Sequence, residues 1–522
     1  MRRRRTILAL SAALLLIGAL LPAGDAPPAR AARTDVRYLA AAPSTLDPAA
    51  QSDIDSAAIS AQLFETLTAF DTGLVLRPAL AAGWDISTDA RRVVFHLRPN
   101  LAFSDGSPLT AADVVRSWFR VIDPAAPSPL ASLALGIAGA AGYRSGTVTD
   151  RAQVGLRASG SDVIVDLVRP TSDFPSIVAS PTFAVVPNVD CPAAERTLDV
   201  CPVSSGAYLV TAATDDELTL AANDRYWAGK PVIQTVHLIT DIGGRSPVTA
   251  FEDDDLDYAP IALNDASWIR FDETLGPQLR LVPSLEVTYL AFDTTRPPFD
   301  DVRVRQAFGS AVDWQRVVTL GGFAGILPAD SLVPPGIPGG GDRSWMPVYD
   351  PALARRLLAE AGFPGGAGFP DVIFGSPEGS GFGTGIAAAI HDGLGITIRR
   401  EWYDDFFARV KGDAPSFFTF GWIADYPGPN DFLGILLGSG ASANYGRWSS
   451  AEFDAAIEDA LGTTEPAAIT GAYERALAVV QRDVPAIPLA YGDSFSLSRT
   501  GLLGAGQNGL GIPRFASLAW AP

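Results

Sequence analysis

Residues that carry most enzyme chemistry are scarce in this chain of 522 residues, which contains two cysteines, three histidines and two lysines. The histidines, His96, His237 and His391, are far apart in sequence and do not have the spacing of metal ligands. No G-x-S-x-G elbow, H-E-x-x-H motif or Walker P-loop is present. The sequence therefore predicts that the protein is not an enzyme and that it needs no metal and no cofactor.

Positive charge is also in short supply, with 39 Lys and Arg against 58 Asp and Glu and a net charge of −19. Phosphate contacts need clustered Lys and Arg, so the composition argues against a nucleic-acid partner. With 48% hydrophobic and 19% charged residues the chain is typical of a globular protein. Its length suggests about three domains, and we expect a monomer whose acidity favours solubility.

The N-terminus has the pattern of a secretory signal peptide over residues 1–31. Arg2–Arg5 are positively charged, 7–21 are apolar, and small residues follow at 29–31. The apolar stretch of 15 residues is shorter than the roughly 20 residues that span a bilayer, although a retained N-terminal anchor is the alternative. No cysteine lies near the cleavage region to carry a lipid. We expect an exported protein that is periplasmic or at the cell surface.

The two cysteines agree with export. Cys191 and Cys201 enclose nine residues, and in an oxidising compartment such a pair is expected to form a disulfide. A metal site is the alternative, but it would need two further ligands, and no histidine is near in sequence.

Apolar periodicity and turn residues predict a mixed α/β fold of alternating strands and helices. Thr110 and Asp113 mark the start of one helix, close to a capping box. The predicted strands are 38–42, 91–97, 163–168, 207–211, 217–221, 232–240, 371–374, 395–401 and 485–491. The further predicted helices are 57–67, 302–320, 351–361, 451–461 and 467–482. No repeat of 20–50 residues occurs, which excludes a solenoid or a propeller.

A series of short motifs, spread in order along the chain, is more specific together than any one of them alone. The clearest are Thr45–Pro48, Phe103–Val114, Asn223–Pro231, Pro298–Ala307, Trp422–Pro427 and Pro485–Leu489. In this order the motifs resemble those of the extracytoplasmic solute-binding proteins of ABC importers, family 5, the class that includes oligopeptide- and dipeptide-binding proteins.

The resemblance implies a periplasmic-binding-protein-like α/β fold of the class II or cluster C type. Two lobes would be joined by a hinge, and an extra domain would be inserted in lobe I. Carried over to this sequence, lobe I would comprise residues 33–75, 200–285 and 486–522. The inserted domain would cover 76–199, and lobe II would cover 286–485.

The resemblance also implies a ligand site for a peptide or peptide-like solute, which the protein would deliver to the permease subunits of an ABC transporter. Asp425 matches an aspartate that pairs with the α-amine of a bound peptide, and Trp422 would form an apolar wall. The loop Ser52–Asp53–Ile54 matches a stretch that pairs with the peptide backbone as an added strand. Leu133 stands where an aromatic contact of the inserted domain is found. Asp425 could instead be an interlobe or helix-capping carboxylate.

One departure from the family pattern concerns the other end of the peptide. Some oligopeptide binders carry an arginine three residues before the tryptophan of the Trp422 segment, but this chain has Thr419 there. The partner of the peptide carboxylate is therefore open. The alternatives are a non-peptide solute such as a nickel chelate, a sugar or an opine, and an exported sensor or chaperone that uses the same fold.

Overall fold

The structure, a computed structural model, describes residues 33–188, 203–321, 326–337, 340, 343–377 and 383–522. The predicted signal peptide and both Cys191 and Cys201 lie outside the described residues. Within them, no helix has the length and apolar character needed to cross a membrane.

Strands and helices alternate along the described chain, which confirms the mixed α/β class. The strands are β1 (Asp35–Leu39), β2 (Thr68–Phe70), β3 (Leu76–Pro78), β4 (Ala81–Ile86), β5 (Arg92–Leu97), β6 (Leu156–Ser159), β7 (Asp162–Asp166), β8 (Tyr208–Ala213), β9 (Glu217–Ala222), β10 (Thr235–Ile239), β11 (Tyr258–Ile261), β12 (Leu279–Phe292), β13 (Leu327–Pro328), β14 (Ile373–Pro377), β15 (Arg399–Tyr403), β16 (Phe417–Ile423), β17 (Ala486–Ser498), β18 (Leu502–Leu503) and β19 (Ala519–Trp520). The helices are α1 (Ile54–Leu63), α2 (Ala111–Val121), α3 (Ala140–Arg144), α4 (Phe174–Ile177), α5 (Pro247–Glu252), α6 (Leu263–Ile269), α7 (Val302–Ala311), α8 (Trp314–Gly321), α9 (Pro351–Glu360), α10 (Gly383–Leu394), α11 (Phe406–Asp413), α12 (Pro429–Phe432), α13 (Gly434–Leu437), α14 (Ala451–Leu461) and α15 (Pro466–Asp483).

One mixed sheet runs through most of the molecule in the order β15-β14-β16-β12-β17-β11-β1-β10-β9-β8, with β13 added on β17. We call the part built on β1 and β8–β11 lobe I, and the part built on β14–β16 lobe II. The two long strands β12 and β17 are antiparallel neighbours and belong to both lobes. One end of β12–β17 lies beside β11 and the other beside β16.

The register of β12 and β17 shifts between Pro283 and Val287, so residues 284–286 form a bulge. A bulge bends a strand and frees backbone groups for other partners. Here the freed groups of Leu285 bond to both lobes. Its N–H donates to the carbonyl of Gly509 at 2.7 Å, and its carbonyl accepts from the N–H of Ala424 at 2.9 Å.

A second, antiparallel sheet of order β4-β5-β7-β6 forms within the segment predicted as the inserted domain. Helix α2 packs on it through the buried Trp118. The predicted start of α2 is confirmed, because the Asp113 carboxylate accepts from the N–H and hydroxyl of Thr110 at 2.9 and 2.8 Å. The exact boundaries of the lobes and the inserted domain stay a prediction.

The single helix predicted over 302–320 is wrong in one respect, because the structure has two helices there, α7 and α8. The chain leaves the helical conformation at Val312, whose φ and ψ are −118° and 131°. The Asp313 carboxylate then accepts from the N–H of Arg316 at 3.0 Å. An aspartate that satisfies the free N–H groups of a new first turn favours a helix start at this point.

The C-terminal segment returns to lobe I and is fastened there by Tyr208. This residue is fully buried, and its hydroxyl lies 3.0 Å from the carbonyl oxygen of Ile233 and 3.2 Å from that of Phe515. The contact joins β8 to a segment about 300 residues later in the chain.

Substituting Tyr208→Phe should lower the free energy of unfolding by about 1 kcal/mol, because the buried carbonyl of Ile233 loses its donor while the ring packing is kept. Denaturant unfolding of the variant measures the loss. Tyr349→Phe serves as the matched control, since Tyr349 is 54% exposed. Equal stability of the two variants would show that this hydroxyl contributes nothing.

Candidate functional site

A cavity of about 300 Å³ lies where the two lobes face each other. Lobe I contributes the start of α1, Glu65 and the C-terminal segment around Arg514, and lobe II contributes the end of β16 with Asp425. Both walls are positioned by the bulge of β12, since Leu285 bonds to Gly509 beside one wall and to Ala424 in the other. The cavity is therefore an interlobe site with acidic, basic and apolar side chains.

The predicted loop Ser52–Asp53–Ile54 lies on the cavity. The Asp53 carboxylate caps α1, accepting from the N–H of Ser56 at 2.8 Å and from the hydroxyls of Ser44 and Ser56 at 2.6 and 2.9 Å. Burial acts to raise the pKa of Asp53, but these hydrogen bonds outweigh it and the pKa lies below its ordinary value. The side chain of Asp53 is thus occupied by the fold.

The backbone of the same loop is less engaged. Asp53 is extended, with φ −130° and ψ 156°, and neither the N–H nor the carbonyl of Ser52 bonds to another described residue. Backbone groups of this kind need partners when they are covered. The loop can therefore offer hydrogen bonds to an extended segment in the cavity.

Asp425 lies directly after β16 and also lines the cavity. Its N–H donates to Asp431 at 3.1 Å. Among the residues that the structure describes, its carboxylate accepts no hydrogen bond and has no cation within 4 Å. Burial raises the pKa of Asp425 to about 6. The site therefore contains an acid whose carboxylate has no partner among the described residues and that is half ionised near pH 6.

Asp431, on α12, accepts a hydrogen bond from the backbone of Asp425, and the sequence did not predict it as a site residue. It is fully buried, and its Oδ2 accepts from the indole N–H of Trp422 at 3.0 Å as well as from Asp425. Its Oδ1 is buried without a partner among the described residues. Burial and the charge of Asp425 raise the pKa of Asp431 well above its ordinary value.

Two predicted ligand residues are placed away from the cavity lining. Trp422 is partly buried against the core of lobe II and bonds to Asp431, while its neighbour Ile423, 55% exposed, lines the cavity. Leu133 is buried in the core of the inserted segment, and Leu130 reaches the cavity instead. The roles given to Trp422 and Leu133 stay predictions that this geometry does not favour.

The inserted segment also touches lobe II beside the site. The hydroxyl of Tyr426 donates to Asp173 Oδ2 at 2.7 Å and accepts from the amide of Asn430 at 2.9 Å. Burial raises the pKa of Asp173, and its Oδ1 has no partner in the described part of the chain. Asp173, Asp425 and Asp431 thus form a group of acids whose ionised forms are all disfavoured.

The cavity also contains a positive charge, which is supplied by Arg514 and not by the position of Thr419. Thr419 is buried on β16, and its hydroxyl has no partner among the described residues. Arg514 supplies the one cationic side chain among the described residues that line the cavity. The sequence carried no signal for it, because it is in an irregular segment near the C-terminus.

The fold defines a class of protein, the two-lobe solute-binding proteins. The unliganded open form of the periplasmic murein tripeptide binding protein MppA superposes with a TM-score of 0.81 at 23% identity, covering 94% of this chain and 97% of that one. At this identity the likeness concerns the fold, and it confirms the predicted fold class.

Residues 75–444 match the family described as bacterial extracellular solute-binding proteins, family 5 Middle, and the chain belongs to that family. It is 30% identical to the probable deoxycholate-binding periplasmic protein YgiS of Escherichia coli over 470 residues, 86% of each chain. It is 27% identical to the periplasmic oligopeptide-binding protein OppA of the same organism over 512 residues, 92% of this chain and 91% of that protein. The predicted family is confirmed, and it is a family of binding proteins.

The buried acid Asp431 should make stability depend on pH. Its pKa is higher in the folded than in the unfolded chain, so the folded protein loses stability as the pH rises above the unfolded value of about 4. Asp431→Asn removes this loss. The melting temperature of the variant relative to wild type should therefore rise between pH 4.5 and pH 7.5, by at least about 2 °C.

Thermal unfolding at the two pH values tests this expectation. Asp459→Asn is the control, since Asp459 is 66% exposed, and its difference from wild type should change little with pH. A pH-independent difference for Asp431→Asn would mean that Asp431 is not the acid that titrates.

Proposed function

We propose that the protein is the exported binding component of an ABC importer that captures a peptide with a free amino terminus between its lobes and passes it to a membrane permease. The observation that carries this proposal is the Asp425 carboxylate, which lies in the interlobe cavity and has no partner among the residues that the structure describes. A half-buried carboxylate without a partner is unfavourable in the empty protein and becomes favourable when a cation binds to it. An α-ammonium group is such a cation.

The Ser52 backbone supports a peptide over other amines. An extended chain that passes the loop can bond to its free N–H and carbonyl, as in β-strand addition, which tolerates many side-chain sequences. The apolar side chains Ile54, Phe70 and Ile423 line the same space and can accept apolar side chains of a ligand. Charge at one end and backbone pairing along the length together fit a peptide.

The names of the relatives span several ligands, including deoxycholate for one and oligopeptides for another. Deoxycholate carries a carboxylate and no ammonium group, so it leaves Asp425 unpaired. For this reason the site favours a peptide. Export by the segment 1–31, a disulfide between Cys191 and Cys201, a monomeric state and the lack of enzymatic activity belong to the same proposal.

Substituting Asp425→Asn should weaken the binding of free-amine peptides about 10- to 100-fold, because the ammonium group loses its charged acceptor. Titration calorimetry with alanine peptides of two to five residues measures the loss. Asp404→Asn, a change at an exposed acid outside the cavity, should leave the affinity unchanged.

N-acetylated forms of the same peptides give a second comparison. They should bind weakly to wild type and equally weakly to Asp425→Asn. If no free peptide binds, while deoxycholate or a nickel chelate raises the melting temperature, the peptide proposal is wrong.

Peptide affinity should also fall in acid. Asp425 has a pKa of about 6 in the empty protein, and a bound ammonium group lowers that pKa, so binding releases a proton below pH 6. The peptide amine and carboxylate stay charged between pH 5 and pH 7. The dissociation constant should therefore rise about 10-fold from pH 7 to pH 5. Asp425→Asn should remove this dependence, and a pH-dependence that survives in the variant would assign the titration to another group.

A further inference from the structure

The charges in the cavity are divided between the lobes. Asp425, from lobe II, is an acid without a partner in the described part of the chain, whereas Arg514, from lobe I, is the single cation among the described lining residues. Asp53 and Glu65 also lie on the lobe I side, but their carboxylates are already engaged. Asp53 caps α1, and Glu65 Oε2 accepts from the hydroxyl of Tyr226 at 2.5 Å and from the indole N–H of Trp227 at 3.2 Å.

The side chain of Arg514 has hydrogen-bond partners but no acidic partner among the described residues. Its Nη1 lies 3.3 Å from the carbonyl oxygen of Phe70, and its guanidinium group also interacts with the hydroxyl of Tyr226. No carboxylate of a described residue lies within 4 Å of the Arg514 guanidinium group. Other arginines of the protein, such as Arg33, Arg92 and Arg120, have a carboxylate oxygen at 2.5–2.7 Å. A guanidinium group presents five N–H donors in a fixed fork that matches a carboxylate. The N–H donors that do not face Phe70 and Tyr226 are available to a ligand.

The backbone that carries Arg514 is fixed from both sides. The amide of Gln62 donates to the carbonyl of Pro513 at 2.8 Å, and its side-chain oxygen accepts from the N–H of Phe515 at 2.9 Å. Gln62 is 3% exposed and belongs to α1, the helix whose N-terminal loop forms the wall with Ser52. The backbone at Arg514 is thus held in place before any ligand arrives, which reduces the entropy lost on binding.

We propose that Arg514 binds the carboxylate of the ligand, so that the protein takes short peptides with both ends free and holds one end on each lobe. This inference rests on the proposed function and extends it. Arg514 then supplies from lobe I the cation that the chain lacks at Thr419 on β16. The modest volume of the cavity, about 300 Å³, is at the lower end of the roughly 300–1,000 Å³ seen for small-molecule sites, which favours a short ligand.

The test compares alanine peptides of two to five residues as free acids and as C-terminal amides, by titration calorimetry with wild type and Arg514→Gln. Amidation should weaken binding to wild type at least about 10-fold, because Arg514 loses a charged partner. Arg514→Gln should bind the free acid as weakly as wild type binds the amide, and amidation should have no further effect on it. Glutamine keeps a donor for the Phe70 carbonyl, so the local fold is preserved.

Arg280→Gln is the matched control. Arg280 is exposed and, like Arg514, donates to backbone carbonyls, at 2.9 Å to Pro277 and at 3.0 Å to Leu279, but it lies outside the cavity lining. This variant should keep the wild-type preference for the free acid.

Three results separate this inference from the proposed function. If wild type binds acid and amide equally while N-acetylation still abolishes binding, the role of Arg514 is wrong and the peptide function stands. If Arg514→Gln retains the preference for the acid, another group binds the carboxylate and the inference is again wrong. If no peptide binds in any form, both proposals fall together.

Discussion

The backbone of Leu285 is the point on which the site depends. At the bulge of β12 its N–H and carbonyl leave the ladder with β17 and bond to Gly509 and Ala424 instead. Leu285 is 2% exposed, so these bonds are shielded from water, and breaking either would leave a buried backbone group unpaired. Leu285 therefore connects the crossing between the lobes to both cavity walls.

This arrangement explains how unpaired charge can be tolerated in the cavity. Asp425 follows Ala424 directly, and Arg514 lies in the segment that begins after Gly509, so both charged side chains extend from backbone that is fixed elsewhere. Backbone contacts hold these two segments in place, so the charged side chains need not pair with each other to stabilise them. Asp425 carries the penalty of burial, seen in its raised pKa, and a bound cation relieves it. Sites with such perturbed groups are the usual places of function in a protein.

Local sequence signals predicted the elements well where one residue decides the geometry. Thr110 and Asp113 marked the start of α2 because their contacts span three residues. The break at Val312 was missed because the apolar pattern continues through it, and only the cap at Asp313 shows that a new helix begins. Local pattern therefore predicts where an element begins better than whether it continues.

The candidate site shows the same limit more strongly. Asp425 could be predicted because it lies in a recognisable motif, whereas Arg514 depends on Gln62, a residue about 450 positions away. Trp422 was expected in the cavity, but the buried Asp431 holds its indole elsewhere. Such contacts between distant residues decide which side chain faces a cavity between lobes. They produce no recognisable spacing of residues in the sequence, so they could not be predicted from it.

The position of the two charges on different lobes bears on how a ligand and closure are linked. A ligand shifts a conformational equilibrium only by the difference in its affinity for the two states. A molecule with one charged end can satisfy Asp425 or Arg514 without regard to the distance between the lobes. A peptide with both ends free gains its second ion pair only when the lobes stand at the separation that matches its length. Selection for ligand length and selection for the closed arrangement are then the same physical requirement.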